Sequence, residues 1–158
     1  MGVATVISTV AATVMSAPPR SALRERIGPT NKLGQGMASL GRPGYINLGH
    51  DDDLPCKTVD AMRDRAHEVL DAAAAMGITY FDCARSYGES EEFAASWVAS
   101  RPEAAASITV GSKWSYEYTA GWRVQVSEGE AHEVKTHTLA QLRRQLSESL
   151  ALLPSIRV

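Results

Sequence analysis

Between residues 58 and 154 the hydrophobic period of this chain changes repeatedly, and that alternation restricts its fold more than any other feature. Met62, Ala66, Val69, Leu70, Ala73 and Met76 recur at helical spacing and define one apolar face. Thr58 is placed to cap that helix, Asp60 favours its positive end, and Gly77 stops it. Ile78 to Phe81 follows as a short apolar run rich in strand formers. A second helix is predicted over Ser90–Ser100, with Phe93, Ala94, Trp97 and Val98 inward and Pro102 beyond its end. Ile108 to Lys113 reads as the next strand, and residues 114–135 as a long connection, a flap or small hairpin. Thr138 and Gln141 make a capping box for a third helix, along which Leu139, Leu142, Leu146 and Leu150 recur until Pro154. Ile156 to Val158 then begins a fourth strand, while upstream Leu33 to Gly41 is read as the first, interrupted by close backbone approaches at Gly34 and Gly36.

Strands alternating with helices imply right-handed crossovers and a parallel sheet, hence an α/β fold. A doubly wound sheet and a segment of a (β/α)8 barrel both satisfy the pattern. At 158 residues, 44% of them hydrophobic, the chain is long enough for one domain with a core. Sixteen Lys and Arg against eighteen Asp and Glu leave a formal charge of -2, with no basic excess to attract nucleic acid. The two cysteines, Cys56 and Cys83, are too few for a disulfide framework and lack metal-site spacing, so a cytoplasmic setting is expected.

Met1 to Met15 carries no charge, lacks the positive start of a secretory signal, and is too short and too rich in Thr and Ser to span a membrane. Residues 1–30 are therefore expected to form a poorly ordered leader, and residues 31–158 the folded unit. An organellar leader is the alternative, because Arg20, Arg24 and Arg26 cluster there and no acidic residue precedes Glu25. The Asp51-Asp52-Asp53 run reads as a solvated loop, and no metal site is expected.

The chemistry concentrates in Gly77-Ile78-Thr79-Tyr80-Phe81-Asp82-Cys83-Ala84-Arg85-Ser86-Tyr87-Gly88-Glu89-Ser90-Glu91. Asp82 closes a hydrophobic strand, Tyr87 follows in the loop, and the next strand ends at Ser112-Lys113-Trp114. In a parallel barrel the C-terminal strand ends face one cavity, so Asp82, Tyr87 and Lys113 are expected to converge. A free phenol, with a pKa near ~10, is a reluctant acid. An ammonium beside it favours the phenolate, and a carboxylate behind the ammonium keeps it charged and oriented. Such a phenol can protonate a carbonyl oxygen while hydride reaches the carbon.

This string, with the strand-end Lys that follows it, resembles the signature of the aldo/keto reductase superfamily over roughly residues 31 to 158. The Gly41-Arg42-Pro43-Gly44-Tyr45-Ile46-Asn47 segment is similar to bacterial-type members. The resemblance implies a (β/α)8 barrel and transfer of hydride from NADP(H) to aldehydes and ketones. It makes Tyr87 the proton donor, Lys113 the group that tunes it and Asp82 the group that orients Lys113. It also implies cofactor contacts at Gly36, Met37 and Asp82, and a substrate pocket wall at Trp114. Cys83 stands where the family usually has Thr.

A whole barrel needs roughly 250 residues. The chain is thus expected to hold the first three β/α units, truncated before or within the fourth strand, with the family's catalytic His beyond Val158. None of His50, His67, His132 and His137 is expected to replace it. The partner is a small-molecule carbonyl substrate, with no nucleic acid or membrane. The alternative is an inactive half-barrel, lacking turnover by itself and acting, if at all, through a partner or through self-association at exposed sheet edges.

Overall fold

A computed structural model describes residues 33–46 and 54–153. The expected leader, His50, the acidic run at 51–53 and the fourth strand at 156–158 lie outside the described residues. Strand β1 is Gln35–Gly36, helix α1 Ala38–Gly41, and a 3-10 turn spans Pro43–Tyr45. Helix α2 is Val59–Ala75, strand β2 Tyr80–Asp82, helix α3 Ser90–Ser100 and helix α4 Pro102–Ala105. Strand β3 is Thr109–Gly111, strands β4 and β5 are Tyr116–Tyr118 and Glu133–Lys135, and helix α5 is Leu139–Leu152.

The strands β1, β2 and β3 pair in parallel and in chain order, with Gly36 opposite Asp82 and Asp82 opposite Gly111. That sequential order is the one a barrel segment has, and one half of a doubly wound sheet shares it. Phe81 and Val110, side by side in register, turn to the helix-covered face and join Met62, Leu70, Phe93 and Trp97 in the core. The Phe81 and Trp97 rings meet edge to face, centroids 5.3 Å apart. Asp82 therefore points to the opposite face, since side chains alternate along a strand.

The α2 signals act as chemistry dictates. The Thr58 hydroxyl accepts from the Ala61 amide, and Gly77 takes φ 79° to release the chain into β2. Met62, Ala66, Leu70 and Ala73 are buried, whereas Met76, in the final turn, is 72% exposed. The α3 bounds and its inward stripe agree with the sequence reading.

Two expectations need correction. The first strand does not run to Gly41: it ends after two residues, the Met37 amide donates to the Asp82 carbonyl, and α1 begins. The close backbone approaches fall at Gly34 and Gly41 and not, as expected, at Gly36, where an added Cβ would meet nothing within 4 Å. A Cβ on Gly34 would lie 2.9 Å from the Tyr80 ring, and one on Gly41 would lie 2.1 Å from the Tyr87 carbonyl. In α5 the helix is as expected, with the Thr138 hydroxyl accepting from the Gln141 amide, but its leucines do not form the buried face. Gln141, Gln145 and Ser149 are buried, while Leu139, Leu146 and Leu150 are 60%, 44% and 47% exposed. Two of these buried polar groups are stabilised by partners: Gln145 accepts from the Ser115 amide and donates to the Tyr116 carbonyl, and Ser149 donates to Glu91.

The 114–135 connection holds a small antiparallel hairpin, β4 with β5. It is fastened back to the barrel segment, since Trp122 donates to the Lys57 carbonyl at 2.7 Å and meets Phe93 edge to face.

Candidate functional site

Asp82 is the last residue of β2, flanked in register by Gly36 and Gly111. No side chain from either neighbouring strand crowds its carboxylate. A Cβ on Gly36 would meet nothing within 4 Å, whereas one on Gly111 would strike the Tyr80 hydroxyl. Lys113 lies two residues past Gly111 and so returns to the Asp82 face. Its ammonium donates to Asp82 Oδ2 at 2.7 Å and to the Cys83 carbonyl at 2.8 Å.

Tyr87 arrives from the loop after β2. Its amide donates to the Ala84 carbonyl, the Ser90 hydroxyl donates to that same carbonyl, and Gly88 at φ 60° turns the chain into α3. The Lys113 Nζ lies 4.6 Å from the Tyr87 ring centroid. Carboxylate, ammonium and phenol, the three groups expected to converge, thus meet at one end of the sheet.

The electrostatics follow from these contacts. Partial burial lowers the Lys113 pKa, but the hydrogen bond and charge of Asp82, with Tyr87 beside it, outweigh burial and raise it above the ordinary lysine value. Both members of the ion pair are more than a third exposed, so solvent screens it. Cys83 is different. Burial first, then the Glu91 charge, pushes its thiol up to about 12, which makes it a packing residue rather than a nucleophile.

Met37, an expected cofactor contact, is wholly buried, side chain and main chain alike, with its amide donating to the Asp82 carbonyl, so it presents no surface to a cofactor. Gly36 presents open space beside Asp82. Trp114 stacks on His137 with centroids 4.5 Å apart, and lines a cleft of ≈ 60 Å³ with Lys113, Leu142 and Leu146. That cleft is far smaller than the several hundred Å³ of a formed ligand pocket. His67 is held between α2 and α3, its Nε2 2.9 Å from the Ser96 hydroxyl, well placed for packing. Among the described residues no three His, Cys, Asp or Glu gather as metal ligands, and no helix is long and apolar enough to cross a membrane.

Sequence reasoning missed the residues that hold Tyr87 from behind. Arg42, 3% exposed, donates to the Ser86 carbonyl at 2.8 Å and pairs with Glu133 at 3.0 Å. Its guanidinium lies 3.5 Å over the Tyr45 ring, which meets Tyr87 edge to face at 6.0 Å. Burial, partly offset by Arg42 and reinforced by Glu133, raises the Tyr45 pKa. Arg42 sits in the Gly41–Asn47 segment that the resemblance had already singled out; nothing in the sequence pointed to Glu133 as its partner.

Comparisons with known proteins bear on the family and the fold. The sequence model of the aldo/keto reductase family matches residues 34–153. Over 73 residues the chain is 38% identical to Aldo-keto reductase str7 of Strobilurus tenacellus, a stretch covering 44% of this chain and 21% of that protein. Two solved structures assigned as an aldo-keto reductase of Pseudomonas aeruginosa match with a TM-score of 0.51 at 23% and 22% identity. Each match covers 79% of this chain and 38% of the solved one. At that identity the structural likeness speaks for the fold alone.

Proposed function

Because the chain belongs to the aldo/keto reductase family, we propose that it carries the proton-donating side of an NADPH-dependent reduction of aldehydes and ketones. The observation that supports this reading is the Lys113 ammonium, hydrogen-bonded to Asp82 and lying against the Tyr87 ring. The Tyr87 hydroxyl gives its proton to the carbonyl oxygen. Lys113 favours the phenolate left behind, and Asp82 holds Lys113 charged and aimed. NADPH, when bound, supplies the hydride.

The residues present suit the nicotinamide end of that cofactor. The bare strand end at Gly36 leaves open space beside Asp82, where a flat ring can approach the backbone. Trp114 is the wall against which a small carbonyl compound packs. The two free cysteines suit a reducing, cytoplasmic setting.

A second reading has its own support. Among the described residues β3 is paired only with β2, and Leu139, Leu146 and Leu150 leave an apolar stripe on α5. In this reading the chain is an inactive part-barrel that associates with a second copy through that side.

One assay separates the two. The full chain is mixed with NADPH and an activated aromatic aldehyde, and loss of cofactor absorbance is followed beside Tyr87→Phe. The first reading expects turnover that Tyr87→Phe lowers by roughly two to four orders of magnitude. Absence of turnover together with a stable dimer by light scattering favours the second. Turnover indifferent to Tyr87→Phe contradicts the proposed role of Tyr87.

A further inference from the structure

Glu91 stands in the first turn of α3, 1% exposed, in a helix whose other buried residues are Ser90, Phe93, Ala94, Trp97 and Val98. A carboxylate taken wholly out of water persists only when its oxygens are paired. Here they are: Oε1 accepts from the Ser112 hydroxyl at 2.5 Å and the Ser149 hydroxyl at 2.6 Å, and Oε2 accepts from Arg85 at 2.5 Å. Arg85 reaches onward to Glu148 at 2.7 Å, and its backbone amide donates to the Lys113 carbonyl at 2.9 Å.

The partners are not arbitrary places. Ser112 immediately precedes Lys113, and Arg85 lies two residues before Tyr87. The β3 ladder ends at Gly111, and beyond it the Lys113 segment keeps one main-chain bond to the Tyr87 loop, from the Arg85 amide. Strand alternation sends Ser112 toward the helices and Lys113 toward the site. One buried carboxylate thus grips, from behind, both segments that present the ammonium and the phenol.

We infer that Glu91 is a positioning residue, fixing the spacing between the Lys113 ammonium and the Tyr87 ring through Ser112 and Arg85. Its catalytic meaning rests on the proposed reduction, but the spacing itself is measurable without turnover. Lys113 is one of four lysines, so its ε-methylene is resolvable by NMR on lysine-labelled full chain. The Tyr87 ring displaces that resonance, and Tyr87→Leu identifies the displacement.

Glu91→Gln and Ser112→Ala are both expected to collapse the Lys113 resonance toward its unperturbed position. Ser112→Thr, which keeps the hydroxyl, restores it. Ser149→Ala cuts only the link to α5 and is expected to leave the resonance in place. If Glu91→Gln does not fold, Ser112→Ala still reports, because it removes a single hydroxyl. Where turnover is present, Ser112→Ala lowers kcat roughly ten- to a hundredfold with little change in KM, as misplacement of a reacting group does. A Lys113 resonance unmoved in Ser112→Ala and Glu91→Gln, or moved equally by Ser149→Ala, overturns the inference. An intact dependence on Glu91 without any turnover removes only the functional reading.

Discussion

At the scale of single residues, environment sorts groups of the same type. Cys56 is exposed, and hydrogen bonding from Thr58 lowers its pKa, whereas Cys83 is buried with its thiol pushed up to about 12. A thiol reagent at neutral pH should therefore modify Cys56 alone, with Cys83 reacting only in denaturant; rapid native labelling of Cys83 would show that its cover is loose. Lys113 gives a pH prediction of definite sign. Its pKa is raised in the fold, so its contribution to stability is complete below the ordinary lysine value. That contribution is lost as pH climbs through the raised one. A carbon-13 titration of labelled lysine should place Lys113 above free lysine, and Asp82→Asn should bring it down. No downward movement would mean that Asp82 is not its partner. Asp82 and Lys113 were legible from sequence, because strand ends and period-two alternation locate them. The Arg42–Glu133 pair was not: it joins residues 91 positions apart, and nothing local to either one announces the other.

At the scale of elements, the loop bearing Tyr87 is held by a contact between glycines. A Cβ on Gly88, itself at φ 60°, would lie 2.4 Å from the Gly41 carbonyl, while the Glu89 amide donates to that carbonyl at 2.8 Å. Gly88→Ala should cost about 1–3 kcal/mol, read as a lower denaturant midpoint. Gly36→Ala, with open space around its Cβ, should leave the midpoint nearly unchanged. Equal losses at the two positions would contradict this account of the loop. The α2 and α5 starts were readable because a cap is a local device: Thr58 and Thr138 each accept from the amide three residues on. The buried face of α5 was not readable. Leucines at helical spacing suggested it, but Gln145 and Ser149 are turned inward by partners on the hairpin and α3, which no periodicity records.

At the scale of the whole molecule, three parallel strands covered by helices make an arc, and its β3 side is flanked by the exposed leucines of α5. If that side self-associates, Leu139→Glu and Leu150→Glu should shift the chain toward monomer in sedimentation with little change in Tm, since these side chains are 60% and 47% exposed. An unchanged sedimentation profile would place any association elsewhere. The central claim is independent of that outcome: a carboxylate, an ammonium and a phenol meet at one end of this arc. The most direct measurement is a nuclear Overhauser experiment on the full chain, between the Lys113 ε-methylene and the Tyr87 ring protons. With Nζ 4.6 Å from the ring centroid, a cross-peak is expected, and it should weaken in Asp82→Asn. Absence of the cross-peak in folded protein would contradict the convergence on which the proposed reduction depends.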